Sequence, residues 1–312
     1  MRILLTGGAG YIGSHIALLL LQKGYDVVIL DSFINSSSNV IKAIKTYLYN
    51  YDLNLITIIG DIRDEEILDN IFSDSIKDGN PIETVIHLAG LKSVSESLGD
   101  PLHYWDVNVC GTQKLLSKMN EYKCYSIVFS SSATIYGLTG SVPISEDCKL
   151  SPINPYGKTK VTIENMFEDL FKSSFNSWKI CSLRYFNPVG AHPSGCIGED
   201  PIGIPSNLFP YISQVAIGRR KILNVFGDDW DTKDGSGVRD YIHIMDLSEG
   251  HIDAIDYLSS NESCYEFINL GSGKGYSVFQ MIKQFEMSTG CQIPFSIKKR
   301  RDGDVAKCYA DI

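Results

Sequence analysis

The stretch RILLTGGAGYIGSH, Arg2 to His15, passes from an apolar, strand-like opening through a cluster of glycines into the apolar run HIALLLLQ. Gly8, Gly10 and Gly13 satisfy G-x-G-x-x-G, and Gly7, Gly10 and Gly13 satisfy G-x-x-G-x-x-G. Glycines between a strand and a helix let the main chain turn sharply and approach a phosphate, and the helix start offers free N–H groups with a partial positive charge. Glycines alone are weak evidence, since any tight strand-to-helix turn can use them. Here a second strand-like run, YDVVILD, ends on Asp31 about 20 residues further on, where a carboxylate would bond the hydroxyls of an adenosine ribose. An acid there repels a 2′-phosphate and no arginine follows at once, so the cofactor reads as NAD rather than NADP.

Working outward, LITIIGD, TVIHLAG, YSIVFSSS and KICSLRYFN repeat the buried-strand pattern with helix-compatible sequence between them. Strands buried on both faces and separated by helices predict an α/β chain with a Rossmann-type, doubly wound parallel sheet. Gly24 is placed to stop the first helix. Beyond residue 186 the rhythm loosens. GAHPSGCIGEDPIGIPSN reads as a long functional loop, LFPYISQVAIGRR and VFQMIKQFEMSTG as helices, and ILNVFG, EFINLG and PFSIKK as strands. The expected division is an NAD-binding domain over 1–186 and a smaller α/β substrate-binding domain mostly over 187–312, with chain crossings between them.

Composition narrows the function. With 312 residues, 44% of them apolar and 21% charged, the chain is an ordinary globular protein. A net charge of −9 argues against a nucleic-acid surface. The early apolar run Ile16 to Leu21 is far short of a membrane span, and no targeting segment is evident. Eight cysteines without a C-x-x-C pattern read as reduced thiols of a cytoplasmic protein. Six histidines show no metal-ligand spacing, and His243 and His251 read as packing or hydrogen-bonding residues.

Ligands of open parallel sheets lie beyond the carboxyl ends of the strands. Asp61 and Ile62 therefore suit an adenine contact, and Ala89-Gly90 allows close approach of the cofactor. In SPINPYGKTK, Asn154 is a helix cap and Pro155 the first helical residue, which puts Tyr156 in the first turn and Lys160 one turn on along the same face. The helix follows YSIVFSSS, whose Ser130, Ser131 and Ser132 can hold a substrate oxygen. A free phenol has a pKa near 10, so a base working near pH 7 needs its anion favoured by about 4 kcal/mol. Lys160, a positively charged nicotinamide ring and the helix start are the expected sources.

Together TGGAGYIGSH, SSSATIYG and NPYGKTK resemble the extended short-chain dehydrogenase/reductase family. Within it, LRYFNPVGAHPSG, GEDPIGIPSNL, GSGVRDYIHIMDL and RRDGD resemble the UDP-glucose 4-epimerases, and the resemblance runs from Met1 almost to the last residue. It implies an isomerase with tightly held NAD that interconverts UDP-glucose and UDP-galactose. Tyr156, as phenolate, would take the proton of the sugar 4-hydroxyl while C4 passes hydride to nicotinamide; the 4-keto sugar then turns over and regains the hydride on its other face. Ser132 would hydrogen-bond the same oxygen, and Lys160 would tune Tyr156 and hold the nicotinamide ribose. Cofactor contacts implied by the resemblance are Gly7, Gly10, Tyr11, Ile12, Gly13, Asp31, Asn35, Asp61, Ile62, Ala89, Gly90, Lys92, Asn108, Tyr185 and Phe186, with Ser132, Tyr156 and Lys160.

On the substrate side, Arg239 and Arg301 would pair with the diphosphate. Asn187 and Asn207 would bond diphosphate or sugar, Phe226 would stack near the uracil, and Asp304 would take the uridine ribose. Where many relatives carry Tyr beside the sugar 2-position this chain has Cys308, which leaves room for an N-acetyl group unless Tyr309 swings in. A homodimer through helices of the first domain is implied as well. Family members continue for some tens of residues beyond the point that matches Ile312. The rival dehydratases carry an Asp-Glu pair after the active-site Thr, whereas Ser132-Ala133-Thr134-Ile135-Tyr136 holds no carboxylate. A UDP-uronic acid decarboxylase would want a cation for the sugar carboxylate, and none stands out. A non-catalytic NAD-binding sensor would have no need of Ser132, Tyr156 and Lys160, and all three are present.

Overall fold

β1 (Arg2–Thr6), α1 (Tyr11–Gln22) and β2 (Asp26–Asp31) build the first βαβ unit, with the two strands parallel from Arg2 beside Asp26 to Thr6 beside Leu30. Because α1 is apolar on every side, it buries all residues from Gly13 to Leu21. Gly24, at φ 81°, turns the chain out of it. The computed structural model describes residues 1–138, 142–173 and 178–312.

The alternation continues through α2 (Asn39–Tyr47), β3 (Leu55–Ile59), α3 (Glu65–Lys77), β4 (Ile82–His87), α4 (Val94–Gly99), α5 (Pro101–Tyr104), α6 (Gly111–Glu121), β5 (Ser126–Ser132), α7 (Pro155–Lys172) and β6 (Lys179–Tyr185). A π-helical segment, Trp105–Cys110, joins α5 to α6. After β6 come β7 (Asn187–Val189), α8 (Leu208–Ala216), β8 (Leu223–Phe226), β9 (Val238–His243), α9 (Ile244–Ser259) and β10 (Cys264–Leu270). The chain closes with β11 (Gly275–Ser277), α10 (Val278–Thr289), β12 (Phe295–Lys298) and β13 (Lys307–Cys308).

Seven strands form one parallel sheet in the order β10-β6-β5-β4-β1-β2-β3. The α/β class and the doubly wound parallel sheet are as the sequence predicts. α1, α2 and α9 cover one face, and α3, α6 and α7 the other, each with its own buried apolar cluster. Chain order reverses between β1 and β4, which opens a crevice at the carboxyl ends of those strands. Beyond residue 186 the chain enters a small sheet at β7, returns to the large one through α9 and β10, and leaves it again for β11 to β13.

In the small sheet β9 is central. Its register sets Asn187 beside Tyr241 and Cys308 beside Arg239. The fully buried Asp240 carboxylate accepts from the main chain of Ser272, Gly273 and Ala310 and from the Ser272 hydroxyl, at 2.6 to 3.1 Å. Those bonds fix β9 against the strand that carries Cys308. A separate pair, β12 with β8, packs with α8 and α10 around Ile212, Val225 and Ile282. Among the described residues no helix is long and apolar enough to cross a membrane.

Candidate active site

A cleft of about 1510 Å³ runs along the carboxyl ends of the large sheet and on beneath β8 and β9. A site for one small ligand holds roughly 300–1,000 Å³, so this one has room for two molecules end to end. At one end lies the glycine turn. Gly7 has φ 73°, and a Cβ there would come within 2.8 Å of the Ala89 nitrogen. A Cβ on Gly13 would fall 2.6 Å from Gly8 Cα, so this glycine lets α1 press onto the turn. At Gly10 the nearest neighbour would be the Gly7 carbonyl at 3.3 Å, and the turn stays open to the cleft. α1 starts at Gly10 with no side-chain cap and no acid in its first turn, which leaves its N–H groups available to an anion. At the end of β2 the Asp31 carboxylate accepts from Ala9 N–H (2.9 Å), Phe33 N–H (2.9 Å) and the Ser36 hydroxyl (2.8 Å). An anion site at α1 and a fixed carboxylate at β2 match the diphosphate and the adenosine ribose of NAD.

Midway along the cleft α7 begins. Asn154 caps it by accepting from Gly157 N–H at 2.8 Å, with Pro155 as first residue, so Tyr156 stands in the first turn as the sequence predicts. Ser132, the last residue of β5, lies beside the Tyr156 phenol, and its hydroxyl accepts from the Thr134 hydroxyl at 3.0 Å. Lys160 is buried, donates to the Ser130 carbonyl at 2.6 Å, and holds its ammonium 5.9 Å from the centre of the Tyr156 ring. Burial pushes Lys160 down to about 7, with Glu164 opposing.

Within the polypeptide Tyr156 is not lowered: burial raises it, and the Ser132 hydroxyl works in the other direction. The reason is geometric, because Lys160 points at Ser130 and is itself poorly charged in its dry setting. Below this group lies a buried ion pair, Arg184 with Glu164 at 2.8 Å, each side chain 3% exposed. Glu164 also accepts from Ser131 at 2.6 Å, which ties the end of β5 to α7.

The far end of the cleft is cationic and aromatic. The Arg301 guanidinium stacks 3.9 Å from the centre of the Phe226 ring and donates to the Ser206 carbonyl at 3.2 Å. Arg239 pairs with Asp304 and donates to the Val238 carbonyl at 2.8 Å. Cys308 lines the cleft, and burial pushes its thiol up to about 11. Its neighbour Tyr309 packs elsewhere: a Cβ on Gly275 would meet its ring at 2.8 Å. Asn187 and Asn207 line the same wall.

The comparisons bear on this geometry. The family model described as GDP-mannose 4,6 dehydratase matches residues 4–312. The UDP-glucose 4-epimerase of Bacillus subtilis (strain 168) is 49% identical over 311 residues, covering 100% of this chain and 89% of the relative. UDP-glucose 4-epimerase 2 of Arabidopsis thaliana is 49% identical over 308 residues, covering 99% and 86%. The crystal structure of UDP-glucose 4-epimerase from Bifidobacterium longum in complex with NAD⁺ and UDP superposes with a TM-score of 0.94 at 45% identity, covering 100% of this chain and 90% of that one. The chain belongs to the UDP-glucose 4-epimerase family.

Of the residues that the epimerase resemblance singles out, Asn108 alone stays away from the cleft surface. It is buried, with its side chain bonded to both main-chain groups of Leu91 (2.7 and 3.0 Å) and to Thr159 (3.1 Å), so it supports the loop after β4 from behind. Asp61 lines the cleft with its carboxylate turned to Arg63, whose hydrogen bonds hold it below the usual carboxylate range. Tyr185 meets His251 in the interior, and His243 caps α9; both histidines act as hydrogen-bonding residues. Tyr11 donates to the Gly190 carbonyl at 2.7 Å, clasping α1 to the long loop. Sequence reasoning missed Glu199, a nearly buried acid in the cleft wall. Its signal was an acidic pair, Glu199-Asp200, inside the Gly- and Pro-rich stretch GEDPIG.

Proposed function

We propose that this chain is an NAD-dependent UDP-glucose 4-epimerase that interconverts UDP-glucose and UDP-galactose. The observation that carries the reading is the position of the Tyr156–Ser132 pair, between an anion-binding helix start on one side and the Arg239, Arg301 and Phe226 wall on the other. NAD⁺, when bound, accepts hydride from C4 of the hexose and returns it. Gly7, Gly10, Tyr11, Ile12, Gly13, Asp31, Asn35, Asp61, Ile62, Ala89, Gly90, Lys92, Tyr185 and Phe186 would hold it along the cleft wall, with Asn108 behind.

Tyr156 takes the proton of the 4-hydroxyl, and Ser132 steadies the same oxygen through its hydroxyl. Burial by itself resists a phenolate, so Tyr156 works as a base when positive charge stands beside it, with Lys160 contributing in its charged form. Arg239 and Arg301 grip the diphosphate, Phe226 lies against the base, Asp304 meets the ribose, and Asn187 and Asn207 bond diphosphate or sugar. Because these contacts hold the nucleotide, the 4-keto hexose is free to present its other face to the same tyrosine.

The reading extends to UDP-GlcNAc and UDP-GalNAc, supported by the small Cys308 side chain and by Tyr309 lying against Gly275. A dehydratase reading, suggested by the family model's description, is opposed by the stretch Ser132 to Tyr136, which holds no carboxylate where water loss would call for an Asp-Glu pair. We further read residues 1–186 as the NAD-binding domain and 187–312 as mostly UDP-sugar-binding, in a cytoplasmic homodimer joined through helices of the first domain.

Purified protein incubated with UDP-galactose and, separately, UDP-GalNAc, without added NAD, should convert both. Tyr156→Phe should lose roughly a hundredfold to ten-thousandfold in turnover while keeping its NAD absorbance. Turnover of UDP-galactose alone would remove the N-acetyl reading. An unimpaired Tyr156→Phe would remove the tyrosine mechanism.

A further inference from the structure

Glu199 is held in the cleft wall with its side chain 9% exposed. It accepts from the Asn207 side-chain amide at 3.2 Å, and its carboxylate lies 3.8 Å from the Lys92 ammonium. Lys92 lies on the loop after β4, and Asn207 stands at the start of α8, more than a hundred residues further along the chain. Glu199 lines the same cleft as Gly10 and Tyr11 at the start of α1, whose N–H groups are open to an anion, and the Tyr11 hydroxyl is bonded to Gly190 of the same loop. A negative charge in that place is of the wrong sign for a diphosphate site. Asp200, its sequence neighbour, is occupied by Arg219 at 3.0 Å.

We propose that Glu199 belongs to the diphosphate end of the cofactor site and sets how firmly the cofactor is retained, by releasing Lys92 to the phosphates and meeting them as a neutral acid. The proposal rests on the reading of the cleft as an NAD site. Two features of the setting support it. Burial raises Glu199 above the ordinary carboxylate range, while Lys92 and Asn207 hold it down. Once Lys92 turns to phosphate, that restraint weakens and the phosphate charge adds to it, so the protonated form is favoured further. A protonated carboxyl can donate to a phosphate oxygen, where a carboxylate would repel it. Cofactor binding then takes up a proton, and retention weakens as pH rises through the window in which bound Glu199 loses it.

The test uses purified holoenzyme, with the rate of NAD loss followed in the presence of an enzyme that destroys free NAD. Between about pH 6 and about pH 9 the wild type should release NAD roughly tenfold faster or more at the higher pH. Glu199→Gln keeps the size and the Asn207 contact, and should change less than about threefold over the same range. Parallel profiles for the two proteins overturn the proposal. The wild type supplies a second arm that needs no variant: release of NAD in weak buffer near neutrality should free up to one proton per site, seen with an indicator dye. No proton signal overturns the proposal as well. A wild type that neither holds nor takes up NAD overturns the cofactor reading together with this one, whereas ordinary NAD binding with parallel profiles overturns this one alone.

Discussion

Lys160 shows at the scale of one residue how burial and function oppose each other. Its ammonium lies 4.6 Å from the centre of the Phe129 ring, within a dry pocket, and donates to the Ser130 carbonyl. In an unfolded chain a lysine titrates near 10.4, while burial here pushes it down to about 7. Between those values the unfolded chain binds more protons than the folded one, so the stability contributed at this position rises with pH from about 7 upward. Lys160→Met removes that slope. The stability of the wild type relative to the variant, read from urea unfolding of cofactor-free protein, should grow by up to about 1 kcal/mol per pH unit above neutrality. A difference that stays flat with pH would mean that the ammonium is better solvated than this pocket suggests.

At the scale of the element, α7 carries Tyr156, the proposed base, on its first turn and Lys160 and Glu164 on the next two. The cap at Asn154 fixes where the helix begins, and thereby where Tyr156 points. Asn154→Ala should cost about 1 kcal/mol of stability. Its effect on turnover should exceed its effect on substrate affinity, because the residues proposed to hold the nucleotide lie on other elements. Asn154→Asp, which keeps a capping oxygen, should recover most of both losses in the same urea and turnover measurements. Further along, Glu164 receives Arg184 and Ser131, so α7, β5 and β6 are held in one geometry at the level of Ser132.

At the scale of the whole molecule, the cleft exists because the chain returns to the large sheet. β10 pairs with β6, and Phe186 N–H donates to the Leu270 carbonyl at 3.0 Å, while β7, β9 and β13 build the opposite wall. The chain crosses between the two walls after β6, between β9 and α9, and after β10. The same view bears on assembly. Leu102 on α5, one of the helices of the first domain, is 79% exposed. Leu102→Glu should convert a species of twice the chain mass into monomer in sedimentation, with the cofactor still bound. A wild type that already sediments as a monomer would end the dimer reading.

Periodicity and glycine placement were enough to specify the parallel sheet, the turn at Gly7 to Gly13, Asp31 at the end of β2 and the cap that sets Tyr156 in a first turn. Each of these is local: a strand buried on both faces, a φ that favours glycine, a hydrogen bond across three residues. Which distant residues meet was decided in three dimensions. Resemblance named Asn108 as a cofactor contact, but packing turned it inward to Leu91 and Thr159. Spacing placed Lys160 beside Tyr156, where its ammonium lies 5.9 Å from the ring centre, and the strand ending at Ser132 added the Ser130 carbonyl as its acceptor. Glu199 gained its neighbours Lys92 and Asn207 only when the long loop closed over the crevice. Burial and charge at a site depend on segments far apart in sequence, and no local pattern encodes the dielectric that those segments create together.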